Sequence, residues 1–454
     1  MGLARINTRR IIEPATFSIP TQPFSGKALS NLKAGDVVLG INGGELIEPG
    51  LNVIEQLNFN TDVSGVYTTT VDWSPDGRYF ALGHASKPYI SIYDWSTYNQ
   101  ETGEITKVNI AQSPNGAVYD LAWSPNGKYL AIVFSISPYI IIYDWSTGEP
   151  IKLANPAFLP TGAGRSVTWS PDNHYLAVAY QLSPYVTIYD MSAGIPIKIA
   201  DLDGLPSAGT YATINISWSP NGRYLAIAHN SKYVVGDKEE NFYLYDWSTE
   251  IPSKITFLAA PGNPQLIHSI AWSPCSNFFI IGKASGAFHI YSLSSGSWER
   301  IIVVTGNPSN STIQTYVSWS PDSKLIAISR STLDLSFEVF RWVEEEERME
   351  KIYSDVLSNL AVLSQNLTWH PDSCYLIVTS MTQSTPITPS GFWGFALNIQ
   401  NDIITENRLV KSSLQTVSSQ IQNNPIYFKG LGYLRHDVKQ DEIGIADLLI
   451  NLYN

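Results

Sequence analysis

Along most of the chain, apolar and polar positions alternate in short runs broken by Ser, Pro, Asn, Asp and Gly. Val118–Trp123 alternates, turns through Ser-Pro-Asn-Gly, and leads into the apolar run Tyr129-Leu-Ala-Ile-Val-Phe. A second run, Tyr139-Ile-Ile-Ile-Tyr, closes on Asp144-Trp-Ser-Thr-Gly, and a short Ile151-Lys-Leu-Ala follows. Alternation with a period of two, bounded by turn formers, predicts strands rather than helices. The turn has its own chemistry: Pro presets φ at the second position, Asp or Asn suits the third, and Gly closes it. Each unit therefore predicts four short strands.

The unit repeats. Trp-Ser-Pro followed by Asp, Asn or Cys begins at Trp73, Trp123, Trp169, Trp218, Trp272 and Trp319, and a seventh copy reads Trp369-His-Pro-Asp. Successive spacings are 50, 46, 49, 54, 47 and 50 residues, and seven of the 13 tryptophans hold this one position. A fixed period of that length signals a repeat architecture. Seven copies of four strands predict an all-β, seven-bladed β-propeller with small N- and C-terminal β extensions.

These residues resemble the WD40-type propeller family over roughly residues 52–411, through the W-S-P-D-G turn and the I-Y-D-W-S stretch about 20 residues later. The resemblance implies a scaffold fold and leaves function open. The family's Gly-His dipeptide is missing before each first strand, and its Trp-Asp order is reversed at Asp94, Asp144 and Asp246. Repeats five to seven depart further, with Tyr291-Ser-Leu, Phe340-Arg-Trp and Phe395-Ala-Leu in that place. The buried Asp–His network that the family implies is thereby put in question. To close the ring, Val53-Ile-Glu-Gln-Leu lies 20 residues before Trp73 and is expected to supply the last blade's outer strand; Thr405–Val410 is the rival.

Composition narrows the classes. In 454 residues, 44% are apolar, 12% aromatic and only 15% charged, against roughly 25% charged in an average soluble chain. Disorder and long helical bundles are excluded. A net charge of −12 offers no basic footprint, so no nucleic-acid partner is expected. Two cysteines exclude a disulfide framework or a Cys-rich zinc site. No apolar run approaches the roughly 18 residues of a membrane span, so no membrane insertion is expected. The N-terminal stretch has no apolar segment behind its arginines, as a secretory signal would.

Outside the repeats, residues 1–50 read as an extended arm with a small β element. Residues 51–411 are the propeller, and 412–454 a β tail expected to dock with the N-terminal element. Gly26…Lys33-Ala-Gly-Asp-Val aligns without a gap to Gly432…Lys439-Gln-Asp-Glu-Ile. The flanks, together with Ser137-Pro-Tyr-Ile-Ile-Ile-Tyr-Asp and Ser183-Pro-Tyr-Val-Thr-Ile-Tyr-Asp, are similar to propeller-containing virion proteins of tailed phages.

A search for catalytic motifs finds no nucleophile elbow, zinc-protease helix, P-loop or dinucleotide fingerprint. No enzyme, cofactor or metal is therefore expected. His84 and His229 share the position eleven residues after the Trp, where other repeats carry Phe134, Tyr180, Lys283, Arg330 and Ser380. So mixed a position is expected at a strand end that reaches solvent. Cys275 and Cys374 fall in blades that are not neighbours and are expected as free thiols. Glu344–Glu347 with Arg348 and Lys351 reads as a solvated loop or helical turn.

Function is expected on the face that carries the variable loops. Those are the connections between second and third strands and between blades, such as Asn155–Gly164, Asp201–Thr213, Pro261–His268 and Gly306–Thr315, with insertions at Asn230–Asn241 and Ser380–Gly391. Tyr89, Tyr139 and Tyr185 follow Pro on this face and are the candidate partner-binding residues, with strand-three packing as the plainer account. The resemblances together imply a non-enzymatic, multi-copy virion protein attached through its terminal segments. Its partners would be other virion proteins or a host surface molecule. The alternative is a cytoplasmic WD40-type scaffold that recruits protein partners.

Overall fold

A computed structural model describes residues 53–398 apart from 64–65, 203–212, 230–241, 250–251, 256–265, 295–296, 306–312, 332–333 and 383–391. It also describes the strands Val37–Leu39, Ile41–Asn42, Glu45–Leu46 and Tyr433–Arg435. The insertion at Asn230–Asn241, most of Ser380–Gly391, Asp201–Thr213, Pro261–His268 and Gly306–Thr315, and the rival closing segment Thr405–Val410 lie outside the described residues.

Each repeat folds as a four-stranded antiparallel blade, and seven blades form a propeller. Blade two shows the plan: Val118–Trp123, Tyr129–Phe134, Ile140–Asp144 and Ile151–Lys152 pair in that order. The first strands of successive blades lie against one another and ring the axis, with Arg348–Trp369 meeting Thr68–Trp73 to complete the circle. The second strands are buried along their whole length in blades one, two, four and five, which is why they read as continuous apolar runs. Arg348–Trp369 is a single 22-residue strand. Its first part pairs with Asp334–Val343 as the outer strand of blade six, and its second part pairs with Tyr375–Thr382 as the inner strand of blade seven.

Every repeat Trp is buried, between 4% and 7% exposed. The reason is a cross-blade aromatic stack. Tyr79 of blade one lies over Trp123 of blade two (centroids 6.4 Å, interplanar 18°), and Tyr129–Trp169, Tyr175–Trp218 and Tyr224–Trp272 repeat it. Phe278 does the same for Trp319. The Trp of Asp-Trp-Ser then meets this pair edge-on, as Trp145 does Trp123 at 4.8 Å. Such offset and edge contacts add about 0.5–1.5 kcal/mol each beyond area burial. The reversed Asp-Trp order has a local cause: Asp94, Asp144, Asp190 and Asp246 each accept the N–H two residues on and so close the turn after strand three.

The Ser-Pro-Asp-Gly turn works as a set of caps. The Ser74 hydroxyl donates to Asp76 Oδ1 and accepts the Tyr79 N–H at 2.8 Å. Its fourth residue has positive φ, +70° at Gly77 and Gly127, and Asn173, Ser276, Ser323 and Ser373 take that conformation where Gly is absent.

Val53–Leu57 hydrogen-bonds to Phe392–Asn398, so the N-terminal side supplies the last blade's outer strand. Two side chains lock the same seam. His370, which replaces the usual Ser, bonds through Nε2 to the Gly77 carbonyl at 3.0 Å, and Asn366 Nδ2 donates to Thr70 Oγ1 at 3.1 Å. By compactness the chain divides into Ile54–Leu397 and a second unit of Met1–Val53 with Asn398–Asn454. Within that second unit Val37–Leu39 pairs antiparallel with Tyr433–Arg435.

Candidate interaction surface

The loops between strands two and three are built alike in blades one to three. Lys87-Pro88, Ser137-Pro138 and Ser183-Pro184 are cis peptides, followed by Tyr89, Tyr139 and Tyr185 at φ +62°, +67° and +69°. Each of these tyrosines donates its N–H back across the turn, to Ser86, Ile136 and Leu182 carbonyls respectively. The carbonyls of Tyr89, Tyr139 and Tyr185 in turn accept the backbone N–H groups of His84, Phe134 and Tyr180 at the end of strand two. The Ser-Pro-Tyr motif is thus a turn device. Tyr185 is buried, 4% exposed, with its ring edge-on to His229 of blade four at 6.5 Å, so it does not present a surface to a partner. Tyr89 is half-buried against the core between blades one and two, and Tyr139 is half-buried as well.

What these turns do present is the residue at their crest. Ile136 is 49% exposed and Leu182 54%. Between them runs the loop from blade two to blade three, which carries Phe158 at 65% and Leu159 at 38%. That loop is tied down at both sides. The Tyr189 hydroxyl donates to the Phe158 carbonyl at 2.6 Å, and the Thr161 hydroxyl donates to the Ser183 carbonyl at 2.8 Å. Gly162 lies close under Leu182, and Gly164 under the Tyr139 carbonyl, where an added Cβ would come to 2.9 and 3.0 Å. Four large apolar side chains therefore stand exposed on connections of blades two and three. The sequence points to the tyrosines because Pro-Tyr recurs; Ile136 and Leu182 share the place two residues before Pro, where blade one has Ser86, and Phe158 and Leu159 fall in a connection that varies between blades.

The mixed position at the end of strand two is not solvent-facing, contrary to expectation. His84 is 0% exposed, His229 1% and Lys283 3%. In most blades a side chain of strand three answers it. His84 bonds to Ser91 Oγ (3.1 Å) and Thr68 Oγ1 (3.0 Å), and Tyr180 bonds to Thr187 (2.8 Å). Phe134 sits among apolar neighbours that include Ile141, and Arg330 forms an ion pair with Glu338. Burial drives the His84 and His229 imidazoles down to about 3, so both are neutral at physiological pH.

On the inner ring, Asp72 accepts from the Trp73 N–H and from the Trp123 N–H of the next blade. Asp120 likewise accepts from Leu121, from Val167 of the next blade and from Thr70 of the previous one. Burial pushes these carboxyls up, to about 7 and about 6, although the N–H groups pull the other way. They are inter-blade clasps. Among the described residues no group of three His, Cys, Asp or Glu could hold a metal, and no helix is long and apolar enough to cross a membrane. Cys275 and Cys374 are exposed free thiols, and Glu344–Glu346 is a short 3-10 turn with exposed carboxylates.

The molecule is a seven-bladed β-propeller. Its fold matches that of U3-55K, at 14% identity and a TM-score of 0.52 over 77% of this chain and 99% of that one. It also matches the RRP9 WD40 repeats, at 14%, 0.52, 80% and 100%. The β-propeller domain of Myceliophteria thermophila Cps50 (Swd1) matches at 14%, 0.51, 76% and 99%. In sequence, residues 84–238, about a third of the chain, match the model of the family eukaryotic translation initiation factor eIF2A. No curated protein matches the chain.

These matches overturn the expectation of a tailed-phage virion protein with virion or host-surface partners. The similarities run to a translation factor family and to WD40 propellers, and the Ser-Pro-Tyr repeats that suggested a phage origin are the turn device described above.

Proposed function

We propose that the chain is a non-enzymatic cellular WD40-type scaffold that recruits a protein partner through the loop face over blades two and three. The observation that carries this reading is the exposed apolar cluster of Ile136, Phe158, Leu159 and Leu182 on tied-down loops. Large apolar side chains exposed together on tied-down loops are candidates for an interaction surface, and an aromatic is a frequent anchor of such interfaces. All four residues fall within the stretch that matches the eIF2A family model, so the first partners to test are proteins of translation initiation.

The test is site-specific photo-crosslinking in cells from position 158, with position 151 as the control. Ile151 is as exposed but lies on a blade's outer strand. The expected result is a discrete protein adduct from 158 alone, lost when Leu182 is changed to Asp. Equal adducts from both positions, or adducts indifferent to Leu182→Asp, overturn the reading.

A further inference from the structure

Blade five breaks the pairing rule of the other blades. Lys283 ends its second strand, and His289 stands in its third strand opposite Ile281. Tyr291, two residues on and on the same face, stands opposite Arg300 and is hydrogen-bonded by it. This is the face whose Phe279, Ile281 and Tyr291 pack against blade four, where Phe242 stacks on Phe279 at 5.5 Å. Lysine, imidazole and guanidinium thus share one side of one blade. Lys283 is 3% exposed and His289 6%, and His289 Nδ1 is buried without a hydrogen-bond partner. Among the described residues neither Lys283 nor Arg300 has a carboxylate partner. In blade six the corresponding Arg330 is answered by Glu338, which also takes Lys351.

A buried cation without a counter-charge is costly, and a second basic group beside it adds to the cost. Burial and Arg300 already hold the Lys283 amine down, to about 8, and burial with Lys283 and Arg300 holds the His289 imidazole down to about 4. An anion relieves all three groups at once. Arg supplies a planar fork, Lys a point charge and the imidazole a single donor, a set that suits a tetrahedral oxyanion.

We propose that a small free oxyanion of the phosphate or sulfate kind binds on blade five between Lys283, His289 and Arg300. At 3% exposure Lys283 is out of reach of a polymer backbone, which leaves a small ion as the ligand. Arg300 is exposed and forms the entrance. The site lies in a different sector from the apolar cluster and does not depend on it.

Thermal unfolding of the full chain in phosphate, against chloride at equal ionic strength and pH 7, tests this. Phosphate also stabilises proteins by general exclusion, a non-saturating effect. The expected signature is therefore a rise in Tm that saturates in the millimolar range, follows with sulfate and is absent with acetate. Arg300→Gln, at an exposed position, should fold normally and weaken the apparent phosphate affinity about tenfold. Lys283→Met should abolish the saturable part. If Lys283→Met does not fold, calorimetric titration of Arg300→Gln with phosphate decides alone. No saturable response, or one that Arg300→Gln leaves unchanged, overturns the site. A phosphoserine peptide binding more tightly than inorganic phosphate overturns the free ion as ligand.

Discussion

The strand-two pair in blade one offers a direct test of how the buried polar positions are kept. His84 is fully buried and hydrogen-bonded at both ring nitrogens, to Thr68 and Ser91. Changing His84 to Phe leaves both hydroxyls buried with their imidazole partner removed, which costs about 1–3 kcal/mol for each group. Blade two already holds Phe134 with Ile141 at this place. The double variant His84→Phe with Ser91→Ile should therefore recover much of the loss, with a coupling energy of roughly 0.5–3 kcal/mol.

Acid adds a second readout. The His84 imidazole lies at about 3 in the fold against an unfolded value of 6.5. Below pH 6.5 the unfolded chain takes up the proton first, so stability is lost as pH falls from 6.5 towards 3. Between pH 6.5 and 5 this single histidine accounts for about 2 kcal/mol, at about 1.4 kcal/mol per pH step. Denaturant unfolding at pH 7.5 and 5.0 measures both effects. The double variant should be near wild type at pH 7.5 and lose about 2 kcal/mol less on moving to pH 5. If the double variant is no more stable than the single one, or its acid loss equals that of wild type, the pairing account is wrong.

Three further outcomes are expected. Asp72 is a carboxyl raised to about 7 in the fold, so its contribution has the opposite sign: stability falls as pH rises from about 4 to about 7. Asp72→Asn should flatten that part of the stability–pH curve, as read by denaturant midpoints. Gly394 faces Phe59, and a Cβ there would come within 2.6 Å of the Phe59 ring, so Gly394→Val should cost about 1–3 kcal/mol and lower the calorimetric Tm. Removing residues 1–58 deletes the strand that covers Phe392–Asn398 and bares a sheet edge; light scattering should show aggregation, and an unchanged monomer would refute this closure.

The propeller was legible because its determinants repeat. Trp, Ser-Pro, the aromatic six residues after the Trp and Asp-Trp-Ser recur, since every blade has the same neighbour on each side and must meet the same stack. Closure through Val53–Leu57 was legible for the same reason, because a strand had to stand 20 residues before Trp73 as in the other blades. The His370–Gly77 bond was not, because a single His for Ser looks like decay until its partner nearly 300 residues away is in view.

The strand-two position failed for the opposite reason, and the failure explains the candidate sites. Solvent tolerance was inferred from the variety His84, Phe134, Tyr180, His229, Lys283 and Arg330, yet the place is buried and the variety is matched across the sheet. His meets Ser and Thr, Tyr meets Thr, Phe meets Ile and Arg meets Glu. A single sequence shows one column of such a pair at a time, and a column without its partner looks random. Once the columns are read together, the places that break the match stand out. Blade five sets a lysine beside a histidine, and the loops of blades two and three leave Ile136, Phe158 and Leu182 exposed. Buried basic groups with no answering carboxylate among the described residues, and large apolar side chains left exposed, are the two kinds of place where binding is proposed.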